Sequence, residues 1–188
     1  MTIYLENGAT LAAVSDRDMI PILESHHDDG RMLGTWEGLP DACYASIITA
    51  IDCKNLTITG SGTIDGRGEE GDWWLWPKET RNGARRARTL FLSACENLRI
   101  SGVSVQNSPS WTVHPVYCRD VVVSAVSIFN PSDSPNTDGL NPEACENVVL
   151  EGVHFSVATI VLPLKPENAV MDQITILGLV GILIFGTA

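Results

Sequence analysis

The sequence predicts an all-β fold, a right-handed parallel β-helix whose solenoid is incomplete at both ends. Three observations predict it. Four segments align without gaps: CKNLTITG from Cys53, CENLRISG from Cys95, CRDVVVSA from Cys118 and CENVVLEG from Cys145. Within each, apolar residues fall on alternate positions, the period of a strand with one buried face. No stretch of the 188 residues shows sustained helical periodicity with caps, so loops rather than crossover helices must join the parallel strands.

The rule of the repeat is Cys, any residue, Asn or Asp, the alternating run, then Gly or Ala. Asn or Asp before each run is a turn former. From Cys95 to Cys118 is 23 residues and from Cys118 to Cys145 is 27, lengths that suit stacked coils. Between Cys53 and Cys95 the spacing is 42, which fits a coil carrying an insertion, GRGEEGDWWLWPKETRNGARR. Four of the five cysteines share one repeat position and would form a column of small buried hydrophobes. A zinc site needs paired ligands such as C-x-x-C, which do not occur, and no metal or cofactor is expected.

A net charge of −11 with a pI near 4.6 argues against a nucleic-acid partner. The only basic cluster is RNGARRAR, residues 81 to 88. It reads as a solvated loop, or else as arginines that hold carboxylates through paired hydrogen bonds. MTIYLENGATL lacks the features of a secretory signal, so a cytoplasmic location is expected for the chain as written. The uncharged run 174 to 188 is too short as a helix for the roughly 30 Å of a bilayer core, which argues against a membrane anchor.

Between the third and fourth repeats lies FNPSDSPNTDGLNPEACENVV. By itself NTDG is a turn, and Asp138 a turn residue. Together with IYLENGATL, GSGTIDG at 60 to 66, the pair Trp73 and Trp74, and NSPSWTVHP at 107 to 115, it gives an ordered set over residues 2 to 157. The set resembles glycoside hydrolase family 28, the polygalacturonases, which are right-handed β-helices with an N-T-D motif at the active site. The resemblance implies hydrolysis of α-1,4 galacturonosyl bonds of pectic polysaccharide or oligogalacturonate. It further implies inversion by three aspartates, one from N-T-D and two from a G-D-D motif one coil later, in agreement with the carboxylate chemistry of inverting glycosidases. Carried over, Asp138 is the N-T-D aspartate that holds or activates the water. His114, Asn136, Arg88 and Trp74 are the expected substrate-binding residues, with Trp73 and Trp111 as further aromatic candidates. A Ca²⁺-dependent lyase on the same fold would need a carboxylate cluster, and the N-T-D context favours hydrolysis.

After Phe155 the pattern is lost. Where the family has G-D-D-C-I-A-I-K-x-G-K this chain has ATIVLPLKPEN, with Thr159 and Ile160 in place of the aspartates. One synonymous coding of residues 157 to 168 yields GDDCIAIKAGK when read from the last base of the Val157 codon. A lost G in a GTGGGC run would account for this, and the chain is expected to divide into a partial family 28 domain, 1–157, and an out-of-frame tail, 158–188. Loss of the motif predicts a nearly inactive chain, with an apolar sheet edge exposed beyond residue 157 and a tendency to aggregate. The alternatives are a noncatalytic pectin- or oligogalacturonate-binding module, and a structural solenoid whose tail docks on a membrane or partner.

Overall fold

A computed structural model describes residues 1–76, 78–158, 174–177 and 180–181. Three parallel sheets run along a single axis. The first stacks Thr2–Leu5, Lys54–Gly60, Glu96–Ser101, Arg119–Ser124, Glu146–Glu151 and Ile174–Leu177. The second stacks Ile48–Ile51, Leu90–Ser93 and Val113–Val116, and single bridges at Leu140 and Glu143 extend it by one coil. The third stacks Thr10–Ala12, Thr63–Asp65, Ser104–Gln106, Ser127–Phe129, His154–Ser156 and Val180–Gly181. Two single-turn 3₁₀ segments, Arg17–Met19 and Trp73–Leu75, are the helical elements among the described residues.

The gapless alignment of the four repeats is the hydrogen-bonding register of the first sheet. Lys54 lies opposite Glu96, Glu96 opposite Arg119 and Arg119 opposite Glu146. The alternation therefore puts like residues in columns: Leu56, Leu98, Val121 and Val148 in one, Ile58, Ile100, Val123 and Leu150 in the next, all 1% exposed or less. Ile64, Val105, Ile128 and Phe155 face them from the third sheet and are fully buried. Each such side chain contributes about 1.5–3 kcal/mol by leaving water.

The conserved-looking turn at each repeat has a backbone cause. Asp52, Ala94, Tyr117 and Ala144 precede the cysteines, and Asn55, Asn97, Asp120 and Asn147 follow two residues after them, all at φ between 48° and 56°. Two left-handed residues around Cys-x swing the chain from the second sheet into the first. Asn and Asp tolerate that region best after Gly. Their side chains also bond along the column, Asn97 Nδ2 to Asn55 Oδ1 at 2.6 Å and Asn147 Nδ2 to Asp120 Oδ1 at 2.9 Å. At the far end of the run Gly102 has φ +73°, and a Cβ there would lie 2.5 Å from the Gly60 carbonyl oxygen. The cysteines form the expected column and are free thiols. Cys95, Cys118 and Cys145 donate to the carbonyls of Ala50, Leu92 and Pro115 in the preceding coil, at 3.6, 3.2 and 3.3 Å. Contact with the Cys145 thiol, with burial, pushes Cys118 up to about 12, which leaves it unreactive.

Two excursions interrupt the coils. The expected one joins Asp65 to Leu90. A second, residues 13–47, has no counterpart in the sequence reading. It holds two antiparallel pairs, Ile22–Leu23 with Cys43–Tyr44 and Thr35–Trp36 with Leu39–Pro40, the latter closed by Glu37 and Gly38 at positive φ. Leu33 from this excursion packs with Phe91 and Val116 on the outer face of the second sheet. Both faces of that sheet are therefore covered, and Leu90–Ser93 and Val113–Val116 are buried at every position.

Beyond residue 157 one expectation is corrected. The edge of Glu146–Glu151 is not bare: Ile174–Leu177 pairs with it in parallel, Val148 opposite Ile174 through Glu151 opposite Leu177. An alternating apolar run with β-branched residues satisfies a parallel ladder whatever its origin. The stretch aligned with the G-D-D motif, 159–168, lies outside the described residues. No helix among the described residues is long and apolar enough to cross a membrane.

Candidate active site

The Asn136–Asp138 turn leaves the third sheet after Ser127–Phe129 and enters the second at Leu140. Asn136 takes φ 57°. Asn130, 6% exposed, fixes the turn from within, donating to Thr137 O at 3.0 Å and Thr112 Oγ1 at 2.7 Å while its Oδ1 accepts from Ser108 N at 2.8 Å. Thr112 N donates to Asp138 O at 2.8 Å, which adds the turn to the stack at the level of the second sheet. The Asp138 carboxylate accepts from Asn141 Nδ2 at 3.1 Å and is 7% exposed. Asn136, two residues before it in the same turn, is half-buried.

The basic cluster is not a solvated loop. Arg86 and Arg88 are each 1% exposed. Arg86 Nη1 donates to Pro109 O at 2.7 Å and Pro135 O at 2.9 Å, and its Nη2 to Asn136 Oδ1 at 2.6 Å. Burial, and secondarily the Arg88 charge, lower Arg86 to about 10, against the opposing pull of the Asp138 charge. Arg88 donates to the Thr35 carbonyl and lies over the rings of Trp36, Trp111 and Phe91 at 5.2, 5.2 and 5.6 Å. The other two arginines follow the carboxylate-holding reading, Arg85 with Asp41 at 2.6 Å and Arg81 with Asp72. Trp36 and the Thr35 carbonyl, from the unforeseen excursion, help to enclose the two buried arginines.

His114 projects from the second sheet beneath the same excursion and is fully buried. Its Nε2 lies 3.2 Å from Glu143 Oε2, and Glu143 accepts from the Thr35 hydroxyl at 2.9 Å. Burial lowers His114 to about 4, so the ring is neutral over the ordinary pH range. Trp111 meets it edge-on at 4.8 Å and stacks on Trp36 at 4.7 Å. Trp73 packs with Trp76 and Tyr44 in a satellite core. Trp74 is half-buried, with its indole N–H donated to Ser108 O at 3.0 Å.

The expected site residues thus divide. Asn136 shares the turn with Asp138, two residues before it, and Trp74 keeps part of its surface free. Arg88 and His114 lie beneath the 13–47 excursion at 1% and 0% exposure, and Arg88 borders a cavity beside it. The sequence reading missed Arg86, Asn130, Asn141 and Glu143. Arg86 was visible only as one member of a charged run, and the amides carry no pattern of their own. A cavity of about 440 Å³ lined by Met19, Ile20, Ile47, Trp73 and Pro109 is mostly apolar and does not include Asp138. Among the described residues no group of His, Cys, Asp and Glu is placed to hold a metal ion.

A family model described as Glycosyl hydrolases family 28 matches residues 35–158. A "Probable polygalacturonase" of Vitis vinifera is 35% identical over 155 residues, 82% of this chain and 30% of that protein. An "Exopolygalacturonase" of Zea mays is 25% identical over 145 residues, 75% of this chain and 34% of that one. The chain therefore spans about a third of the length of these curated relatives. The solved polygalacturonase of Erwinia carotovora ssp. carotovora superposes with a TM-score of 0.72 at 23% identity, over 95% of this chain and 48% of that one. For a hyperthermoactive exopolygalacturonase of Thermotoga maritima the values are 0.62, 24%, 82% and 40%. Both structures share the β-helix.

Proposed function

The chain belongs to glycosyl hydrolases family 28, and on that premise we propose that its coils are those of a hydrolase of α-1,4 galacturonosyl bonds in pectic polysaccharide. The observation that carries the reading is Asp138: a nearly enclosed carboxylate, oriented by Asn141 and stacked on Thr112, in the turn that bears N-T-D. In the proposed reaction water adds to the anomeric carbon from the face opposite the leaving oxygen. Asp138, with a second carboxylate, holds and deprotonates that water, and a third carboxylic acid delivers its proton to the departing oxygen. Asn136 and Trp74, the half-buried members of the expected set, supply sugar contacts in this reading, and the buried Arg88 and His114 support the fold around the second sheet.

The other two carboxylates belong to the G-D-D motif, and Thr159 and Ile160 stand there in this sequence. Loss of a general acid alone costs about 10²- to 10⁴-fold in rate. We therefore propose that the 188-residue chain is nearly inactive and that residues from 158 onward are read in a shifted frame. The coding DNA from codon 150 onward tests the frame directly. A version encoding GDDCIAIKAGK from residue 158 and the coils that follow in that frame tests the reaction. Expected are reducing ends released from polygalacturonate, with the β-anomer appearing first by proton NMR. Initial α-anomer would reject inversion, and unsaturated product would indicate a lyase. The missing carboxylates also favour a second reading, a binding module. It gains first place if the 188-residue chain binds oligogalacturonate without turnover and the DNA confirms its frame.

A further inference from the structure

We propose that Arg86 is the positioning residue for Asp138, a buried cation that ties the Asn136–Asp138 turn to the neighbouring coil and keeps the carboxylate ionised. The claim rests on the reading of Asp138 as a member of the acid–base machinery. Arg86 is 1% exposed and cannot recognise a polysaccharide carboxylate, so its role is exerted on the protein itself. Its guanidinium bonds to two separate turns, through Pro109 O at 2.7 Å in one and through Pro135 O and Asn136 Oδ1 at 2.9 and 2.6 Å in the other. All three acceptors are fixed by the fold, and the last is two residues from Asp138. A planar fork can meet three acceptors at once, whereas an ammonium offers one compact centre.

The charge on this group is maintained at a cost. Taking a cation out of water is unfavourable unless another charge offsets it, and Arg88 nearby adds to the cost. Asp138 is the charge that acts the other way. The interaction is reciprocal: what the carboxylate does for the guanidinium, the guanidinium does for the carboxylate. An aspartate held in its anionic form suits the water-holding role rather than that of proton donor. Trp36, whose ring centre lies 5.9 Å from the Arg86 guanidinium carbon, covers one side of the guanidinium, so the 13–47 excursion contributes to its enclosure.

The test needs no turnover and uses the 188-residue protein. The Asp138 carboxyl carbon and the Arg86 side-chain nitrogens are followed by NMR across the acid range. In the unmodified protein the Arg86 signals are expected to shift with the same midpoint as Asp138. In Arg86→Gln the Asp138 midpoint is expected to rise by about one pH unit. In Arg86→Lys it should stay close to that of the unmodified protein, while the Asn136 amide protons lose their protection from exchange. Arg86 signals indifferent to Asp138 ionisation, or an Asp138 midpoint unmoved in a folded Arg86→Gln protein, would overturn the proposal. If Arg86→Gln does not fold, Asp138→Asn serves instead, since it removes the charge without changing shape and must displace the Arg86 signals. The catalytic reading is judged apart from this, by Asp138→Asn in a chain carrying the G-D-D codons. Turnover retained there with NMR coupling present would reject the chemistry of Asp138 and leave the pairing standing.

Discussion

His114 illustrates what burial does to a single side chain. Its ordinary value of 6.5 falls to about 4, because burial disfavours the imidazolium more than Glu143 favours it. An unfolded chain takes up this proton near pH 6.5, the folded chain only near 4. The contribution to stability is therefore complete above 6.5 and lost as the pH falls toward 4. Its size is about 3 kcal/mol at the acid end. Denaturant titrations at pH 7 and pH 4.5 should show a smaller difference in His114→Gln, which keeps a donor for Glu143 and removes the titration. An unchanged difference would mean that other groups carry the acid sensitivity. Such a role for His114 could not be read from WTVHP, because beyond Trp111 the ring and the carboxylate against it come from Phe91 and Glu143, far away in the chain. The turn that carries Asp138 was readable, since its motif is contiguous. Arg86 was not, since its three acceptors lie 23 to 50 residues away.

The strands of the first sheet were legible because each coil repeats one rule, and the register reproduces that rule residue for residue. Segment 13–47 was illegible because its strands are two residues long and antiparallel, with no period to detect. The turns between sheets lie between these cases: Asn or Asp after each repeat cysteine was a visible signal, and the second left-handed residue before the cysteine was not. That pairing makes opposite predictions for two neighbours. Ala94 sits at φ 52° with a Cβ that this region penalises by about 1–2 kcal/mol. Glycine removes the penalty and adds back about 0.5–1 kcal/mol of chain entropy. Ala94→Gly should therefore raise the melting temperature slightly. Asn97→Ala should lower it, by about 1 kcal/mol for placing alanine at φ 56° together with the lost bond to Asn55. Equal effects of the same sign would show that the left-handed turn does not govern either position.

A solenoid is stabilised coil by coil, so its ends respond differently from its middle. The sequence forecast the stacking of the four repeats correctly and forecast a bare edge beyond residue 157, because the apolar run that follows breaks the Cys-x-Asn rule. Yet a parallel ladder requires only extended backbone and a tolerable alternation. Ile174–Leu177 supplies both, and Leu177 O accepts from Gly152 N at 3.0 Å. The strand is thus an edge cover rather than a continuation of the core, with Ile176 and Leu177 48% and 52% exposed. Proline at both Thr175 and Ile176 would remove whichever of the two N–H groups is donated to Glu146–Glu151, since proline has none. Each lost bond is worth about 1 kcal/mol, confined to one end of the stack, so the melting temperature of the remaining coils should barely move. What should change is association: the uncovered edge of Glu146–Glu151 is a template for another chain. Sedimentation velocity over a concentration series should then show oligomers in the double-proline protein that are absent from the parent. A monomeric double-proline protein would mean that the Ile174–Leu177 strand does not protect the edge in solution, and that the polar residues flanking Val148 and Leu150 suffice.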